Sequence, residues 1–181
     1  DTLLSLNFLG VQFEMEFTKL SHYTANGWDE ARFLISTNPG EPLKPLDSVA
    51  SGGELSRIML ALKTVLAQND ETETLIFDEI DSGISGRTAQ MVAEKIKLTA
   101  GSHQVICITH LPQIAAMADT HFLIEKTSSD TSTISSIRML DREESIAELA
   151  RMLGGVKITD TVLENAREMK DMADAVRTYS V

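Results

Sequence analysis

No stretch of this 181-residue chain reads G-x-x-x-x-G-K-[ST], the loop that cradles a β-phosphate in backbone amides and reaches it with a lysine. Basic residues are scarce too. Sixteen Lys and Arg against 27 Asp and Glu leave a formal charge of −11, with no run of Lys or Arg. An acidic surface repels nucleic-acid phosphate, so any DNA is expected to be held by other parts of the protein. The single cysteine, Cys107, excludes an intrachain disulfide, and its place in an apolar run reads as a small buried hydrophobe. Nothing resembles a signal peptide or a membrane-spanning segment, so the expected setting is cytoplasmic, with no membrane partner. Internal repeats and low-complexity runs are absent.

What is present suits one domain, with at most a small appendage: 43% of the residues are hydrophobic, enough for a real core. Leu3 to Leu9 reads as the tail of a helix that began earlier. Val11 to Phe17 alternates apolar and polar, which predicts a half-buried strand. His22 to Glu30 reads as a polar loop turning at Asn26-Gly27, and Ala31 to Thr37 as the returning strand. Residues 38–45 are loop, holding three of the four prolines. Ser51 reads as the N-cap of a helix, with Glu54 three residues on as in a capping box. That helix should stop near Asn69. Thr74 to Phe77 is uniformly apolar, as in a central parallel strand. Thr88 to Thr99 follows as a helix, Gln104 to Thr109 as a second buried strand, and Pro112 to Met117 as a short helix. His121 to Glu125 and Thr133 to Leu140 read as strands. Two helices end the chain, the first stopped by Gly154-Gly155 and the second capped by Thr159 or Asp160. The strand–helix order after Leu75 predicts an α/β fold, mainly a parallel sheet flanked by helices, with an antiparallel flank from the earlier strands.

Three stretches carry chemistry. Gly52 and Gly53, behind Ser51 and before Glu54, let the backbone of a helix start approach an oxyanion without side-chain clash. Asp78 and Glu79 end an apolar strand, where α/β folds bind ligands. Asp78 offers the hard oxygen that Mg²⁺ prefers, and Glu79 a polariser or base for an attacking water. Asp81 follows in the turn, either as a plain turn aspartate or as a group that reaches a partner. His110 ends the next strand, where a neutral imidazole can donate to a phosphate oxygen and accept from another group. His22, His103 and His121 show no ligand spacing, and Trp28 reads as a local packing residue. Backbone donors, a metal-binding carboxylate, a second carboxylate and a polar sensor are what triphosphate hydrolysis needs. With no β-phosphate loop, the chain reads as one half of a nucleotide site.

Residues 49–57, Val-Ala-Ser-Gly-Gly-Glu-Leu-Ser-Arg, resemble the signature of ABC-type ATPases in its SMC-like form. Leu75 to Glu79 resembles the Walker B strand, Ile80 to Gly86 the D-loop, and Thr109 to Gln113 the His switch. Thr37 to Gly40 and Glu148 to Gly155 narrow the likeness to the RecN family of bacterial DNA-repair ATPases. In a transporter ATPase, a rival reading from another class, Glu54 would usually be Gln. The resemblance covers nearly the whole chain. It implies the C-terminal lobe of an ABC/SMC-type P-loop ATPase head, residues 9–181, with residues 1–8 as the end of a returning coiled-coil arm. It implies ATP and Mg²⁺ as ligands and a separate N-terminal lobe carrying Walker A. A second head would form a homodimer that sandwiches two nucleotides, in a cytoplasmic, nucleoid-associated protein of double-strand-break repair and recombination. Asp78, Glu79 and His110 would serve the nucleotide of their own head. Ser51, Gly52, Gly53 and Glu54, with Asp81, would face the nucleotide of the opposite one. An ATP-gated clamp with little turnover is the rival reading within the family.

Overall fold

Two parallel strands, β4 (Thr74–Phe77) and β5 (Gln104–Cys107), carry the site at their C-terminal ends. In the computed structural model, which describes residues 2–6, 8, 10–48, 51–66, 72–128, 132–155 and 157–176, they pair from Thr74 opposite Gln104 to Phe77 opposite Cys107. Helices α2 (Gly52–Leu66) and α3 (Gly86–Thr99) belong to this unit. Leu75 and Phe77 are buried with Ile58, Leu60 and Ala61 of α2 and Val92, Ala93 and Ile96 of α3. The helix period of these apolar positions makes that packing possible. Val49 and Ala50 of the signature-like stretch, and the expected helix end near Asn69, lie outside the described residues.

The core continues through a helical layer. A five-residue helix α4 (Pro112–Ala116), with proline in its first turn, packs on α3, α5 (Arg142–Gly154) and α6 (Asp160–Val176). α5 carries a reciprocal capping box, where Asp141 accepts from the Glu144 amide and Glu144 accepts from the Asp141 amide, both at 2.9 Å. Gly155, at φ +62°, ends that helix as expected. Lys170 of α6 is buried and donates to the carbonyls of Ala116 and Ala118, satisfying the end of α4. Ion pairs Arg142–Asp171, Arg142–Asp174 and Arg167–Glu143 strap α6 to α5. Near the N-terminus, a single helical turn α1 (Thr2–Ser5) touches α2, and Leu6 and Phe8 are core residues.

The antiparallel flank exists and is larger than the sequence suggests. Strands β1 (Gln12–Thr24) and β2 (Gly27–Ser36) form a long hairpin, with a short β3 (Lys44–Pro45) added to β2. The polar loop expected over 22–30 is instead the hairpin tip. There Tyr23 and Trp28 pack across the strands, ring centroids 4.6 Å apart, and the Trp28 indole donates to the Leu20 carbonyl. An irregularity between Lys19 and Thr24 breaks the alternation that would have revealed a strand. Strands β6 (Phe122–Ser128) and β7 (Thr133–Met139) form a second hairpin. Among the described residues, parallel pairing is confined to β4 and β5.

Several apolar faces are open. On β1 and β2, Phe13, Met15, Phe17 and Phe33 share one exposed face, so β1 is not the half-buried strand expected. On the parallel pair Ile76 is 67% exposed, with Ile106 and Ile108 exposed beside it. Phe122, Ile124, Ile137 and Met139 form a third such face. Among the described residues, no helix is long and apolar enough to cross a membrane.

Candidate functional site

The end of β4 turns sharply. Asp78 and Glu79 are exposed, and the turn closes with the Ser82 amide donating to the Glu79 carbonyl at 2.9 Å. Glu79 has φ +56°, the left-handed region that an L side chain enters at a cost of about 1–2 kcal/mol. The surroundings over-determine that strain. Ser56 of α2 donates its hydroxyl to the Asp78 carbonyl at 2.9 Å, and the Arg57 guanidinium donates to the carbonyls of Ile80 (3.2 Å) and Ser82 (2.9 Å). Arg57 is buried, lies 5.7 Å from the Phe8 ring, and is held below its ordinary pKa by burial, against the opposing charge of Glu54.

The first turn of α2 is pressed against the same loop. A Cβ at Gly53 would lie 2.8 Å from the Glu79 carbonyl oxygen and 2.8 Å from Ser82 Cβ; one at Gly52 would lie 2.7 Å from a Glu79 carboxylate oxygen. The two glycines thus permit a close approach within the chain, of helix start to strand end. Ser51 takes the N-cap position, its carbonyl accepting from the Leu55 amide at 3.0 Å. Glu54 lies in the first turn of α2, where a carboxylate complements the helix dipole.

Beyond Cys107 the chain continues beside β4, the Ile108 amide donating to the Phe77 carbonyl, and then reaches Thr109 and His110. Asp81 is 4% exposed and gathers that segment onto one oxygen. Its Oδ2 accepts from the Thr109 hydroxyl at 2.6 Å and the His110 amide at 2.8 Å, and lies 3.0 Å from His110 Nδ1. The Thr109 hydroxyl in turn accepts from the Leu111 amide. The His110 ring is largely exposed. In this conformation Asp81 is directed at its own chain, not outward towards a partner or a ligand. Burial pushes the Cys107 thiol up to about 12, reinforced by Asp81 and then Asp78, so it carries no thiolate near neutral pH.

Asp78, Glu79, Asp81, His110 and the first turn of α2 therefore meet around one loop. No group of three or more metal-ligating side chains exists among the described residues. A Mg²⁺–nucleotide site fits that observation. Mg²⁺ keeps several waters, takes one or two carboxylates and completes its shell with substrate phosphates, so one exposed carboxylate at Asp78 is a sufficient protein contribution. Sequence reasoning held Ser56, Arg57 and Thr109 within the signature-like and His-switch-like stretches but gave them no role of their own. An arginine on the core side of an amphipathic helix was the available signal, but its acceptors are 23 and 25 residues away.

No family model matches the chain. Curated relatives do. It is 45% identical over 181 residues to the DNA repair protein RecN of Halalkalibacterium halodurans, covering 98% of this chain and 32% of that protein. It is 51% identical over 155 residues to the DNA repair protein RecN of Bacillus subtilis, covering 86% of this chain and 27% of that protein. The chain thus spans about a third or less of the relatives it matches. Among solved structures it is similar in fold to the Smc head domain with a coiled coil and joint from Pyrococcus yayanosii, at TM-score 0.55 and 23% identity over 82% of this chain and 27% of that one. The Smc head domain with an extended coiled coil from Pyrococcus furiosus, bound there to the C-terminal domain of ScpA, gives TM-score 0.53 at 21% identity over 84% of this chain and 36% of that one.

Proposed function

Because this chain belongs to the RecN family of DNA repair proteins along nearly its whole length, we propose that it is the C-terminal lobe of an SMC-like ATPase head, hydrolysing ATP only when joined to a Walker A lobe and paired with a second head. The observation that carries this reading is the convergence of three motifs on the loop 78–82. The helix start at Ser51 to Glu54, the carboxylates Asp78 and Glu79, and the segment of Thr109 and His110 all contact or form it. None of them supplies a lysine or a β-phosphate cradle, so the set completes a site founded elsewhere.

In the complete head, Asp78 would hold Mg²⁺, which when bound neutralises charge on the β- and γ-phosphates. Glu79 stands next along the chain, exposed and fixed by its turn, and would orient and deprotonate the attacking water. His110 would present its ring to the γ-phosphate of the same head. Ser51, Gly52, Gly53 and Glu54 would meet the nucleotide of the opposite head in a homodimer, through the amides and dipole of α2. Residues 1–8 would be the end of a coiled-coil arm whose last apolar side chains, Leu6 and Phe8, sink into the lobe. Nucleotide-driven closing of two such heads would serve double-strand-break repair, with DNA held by other parts of the protein at the nucleoid.

The test is made on the full-length protein containing this chain. Glu79→Gln keeps shape but not basicity, so it should retain ATP binding and lose on the order of a hundredfold or more in turnover. Asp78→Asn should instead weaken Mg²⁺-dependent nucleotide binding. Equal loss of nucleotide affinity in both variants would overturn the assigned roles.

A further inference from the structure

We propose that Asp81 is a positioning residue for His110, one that anchors the backbone at the root of the ring from within the same lobe. This rests on the reading of His110 as the group that faces the γ-phosphate.

Two donors converge on a single buried carboxylate oxygen, the Thr109 hydroxyl at 2.6 Å and the His110 amide at 2.8 Å, and His110 Nδ1 lies 3.0 Å from the same oxygen. The two hydrogen bonds fix the backbone at the root of the ring. The exposure contrast fits a support and its load: Asp81 is 4% exposed, whereas the His110 side chain is 72% exposed and has little else to orient it. Asp81 is itself fixed from behind, because Arg57 of α2 holds the carbonyls of Ile80 and Ser82 on either side of it.

The experiment is a double-mutant cycle in the full-length protein, reading steady-state kcat and the KM for Mg-ATP. Asp81→Ala should lower kcat about tenfold or more with little change in KM, because most nucleotide contacts lie in the other lobe. In a His110→Ala background the same substitution should cost about twofold or less, since a positioning residue has nothing left to position. Asp81→Asn should stay within about threefold of the unsubstituted protein, because an amide oxygen can receive both donors. It also keeps the cycle interpretable should Asp81→Ala not fold. A full loss from Asp81→Ala in the His110→Ala background would overturn the inference and leave the His110 reading standing. A folded Asp81→Asn protein as impaired as Asp81→Ala would overturn it as well, since position would be retained and only charge removed. An unchanged kcat in His110→Ala alone would overturn the underlying reading, and the inference with it.

Discussion

Gly52 and Gly53 look equivalent in the sequence, and both suit a helix start that receives an anion. Their surroundings separate them. At Gly53 a methyl group would meet the Glu79 carbonyl and Ser82 Cβ at 2.8 Å, and neither can move without disturbing the turn. At Gly52 it would meet the free end of the Glu79 side chain, which can swing aside. Gly53→Ala should therefore destabilise the chain by about 1–3 kcal/mol through overpacking, less about 1 kcal/mol regained from helix propensity. Gly52→Ala should be neutral or slightly stabilising. Urea midpoints of the two variants decide it, and equal effects would show that the α2–turn contact is not tight. The residue types of the site were legible one by one. What each residue touches was not. Ser56 and Arg57 reach acceptors 22 to 25 residues along the chain, and no local pattern encodes such pairings.

At the scale of elements, helical periodicity placed α2, α3, α5 and α6 correctly because each buries a stripe set by its own sequence. The hairpin tip was harder: alternation marked the start of β1, but it lapses beyond Lys19, where the register is irregular. The joint between β6 and α5 carries a testable consequence. His121 lies just ahead of β6, with Nδ1 2.8 Å from the Ser145 hydroxyl of α5. Burial holds its imidazole below the ordinary pKa, with Lys170 helping and Glu148 opposing. As pH falls, the unfolded chain takes up this proton first. The His121 contribution is thus complete above the unfolded value of about 6.5 and is lost as pH falls through the depressed folded value. Denaturant unfolding at about pH 7.5 and about pH 5 should show a larger loss for the native chain than for His121→Gln. Identical pH dependence in the two would remove His121 from the account.

Among the described residues, the parallel pair leaves one apolar face open. Ile76, Ile106 and Ile108 each forgo part of the roughly 1.5–3 kcal/mol that full burial of a large apolar side chain contributes. The sequence signalled this, since a strand as apolar as Thr74 to Phe77 expects a neighbour on both sides. The sequence also predicts how the chain handles nucleotide. Without G-x-x-x-x-G-K-[ST] it lacks the amides and lysine that supply most phosphate contacts, so calorimetry with Mg-ATP should detect no binding at about 10–100 μM. A micromolar Kd measured on this chain alone would sink the half-site reading.

Cys107 turns the parallel pair into its own reporter. The only thiol in the chain lies on β5, opposite Phe77 of β4, and its pKa of about 12 leaves on the order of a thousandfold less thiolate near neutrality than a free cysteine has. Alkylating reagents attack the thiolate, so the raised pKa should slow labelling of the folded pair and opening of β5 should speed it. The labelling rate then reports local opening of the strands that bear the site. An adjoining lobe seated on Ile76 and Ile106 would slow labelling without touching the sulfur.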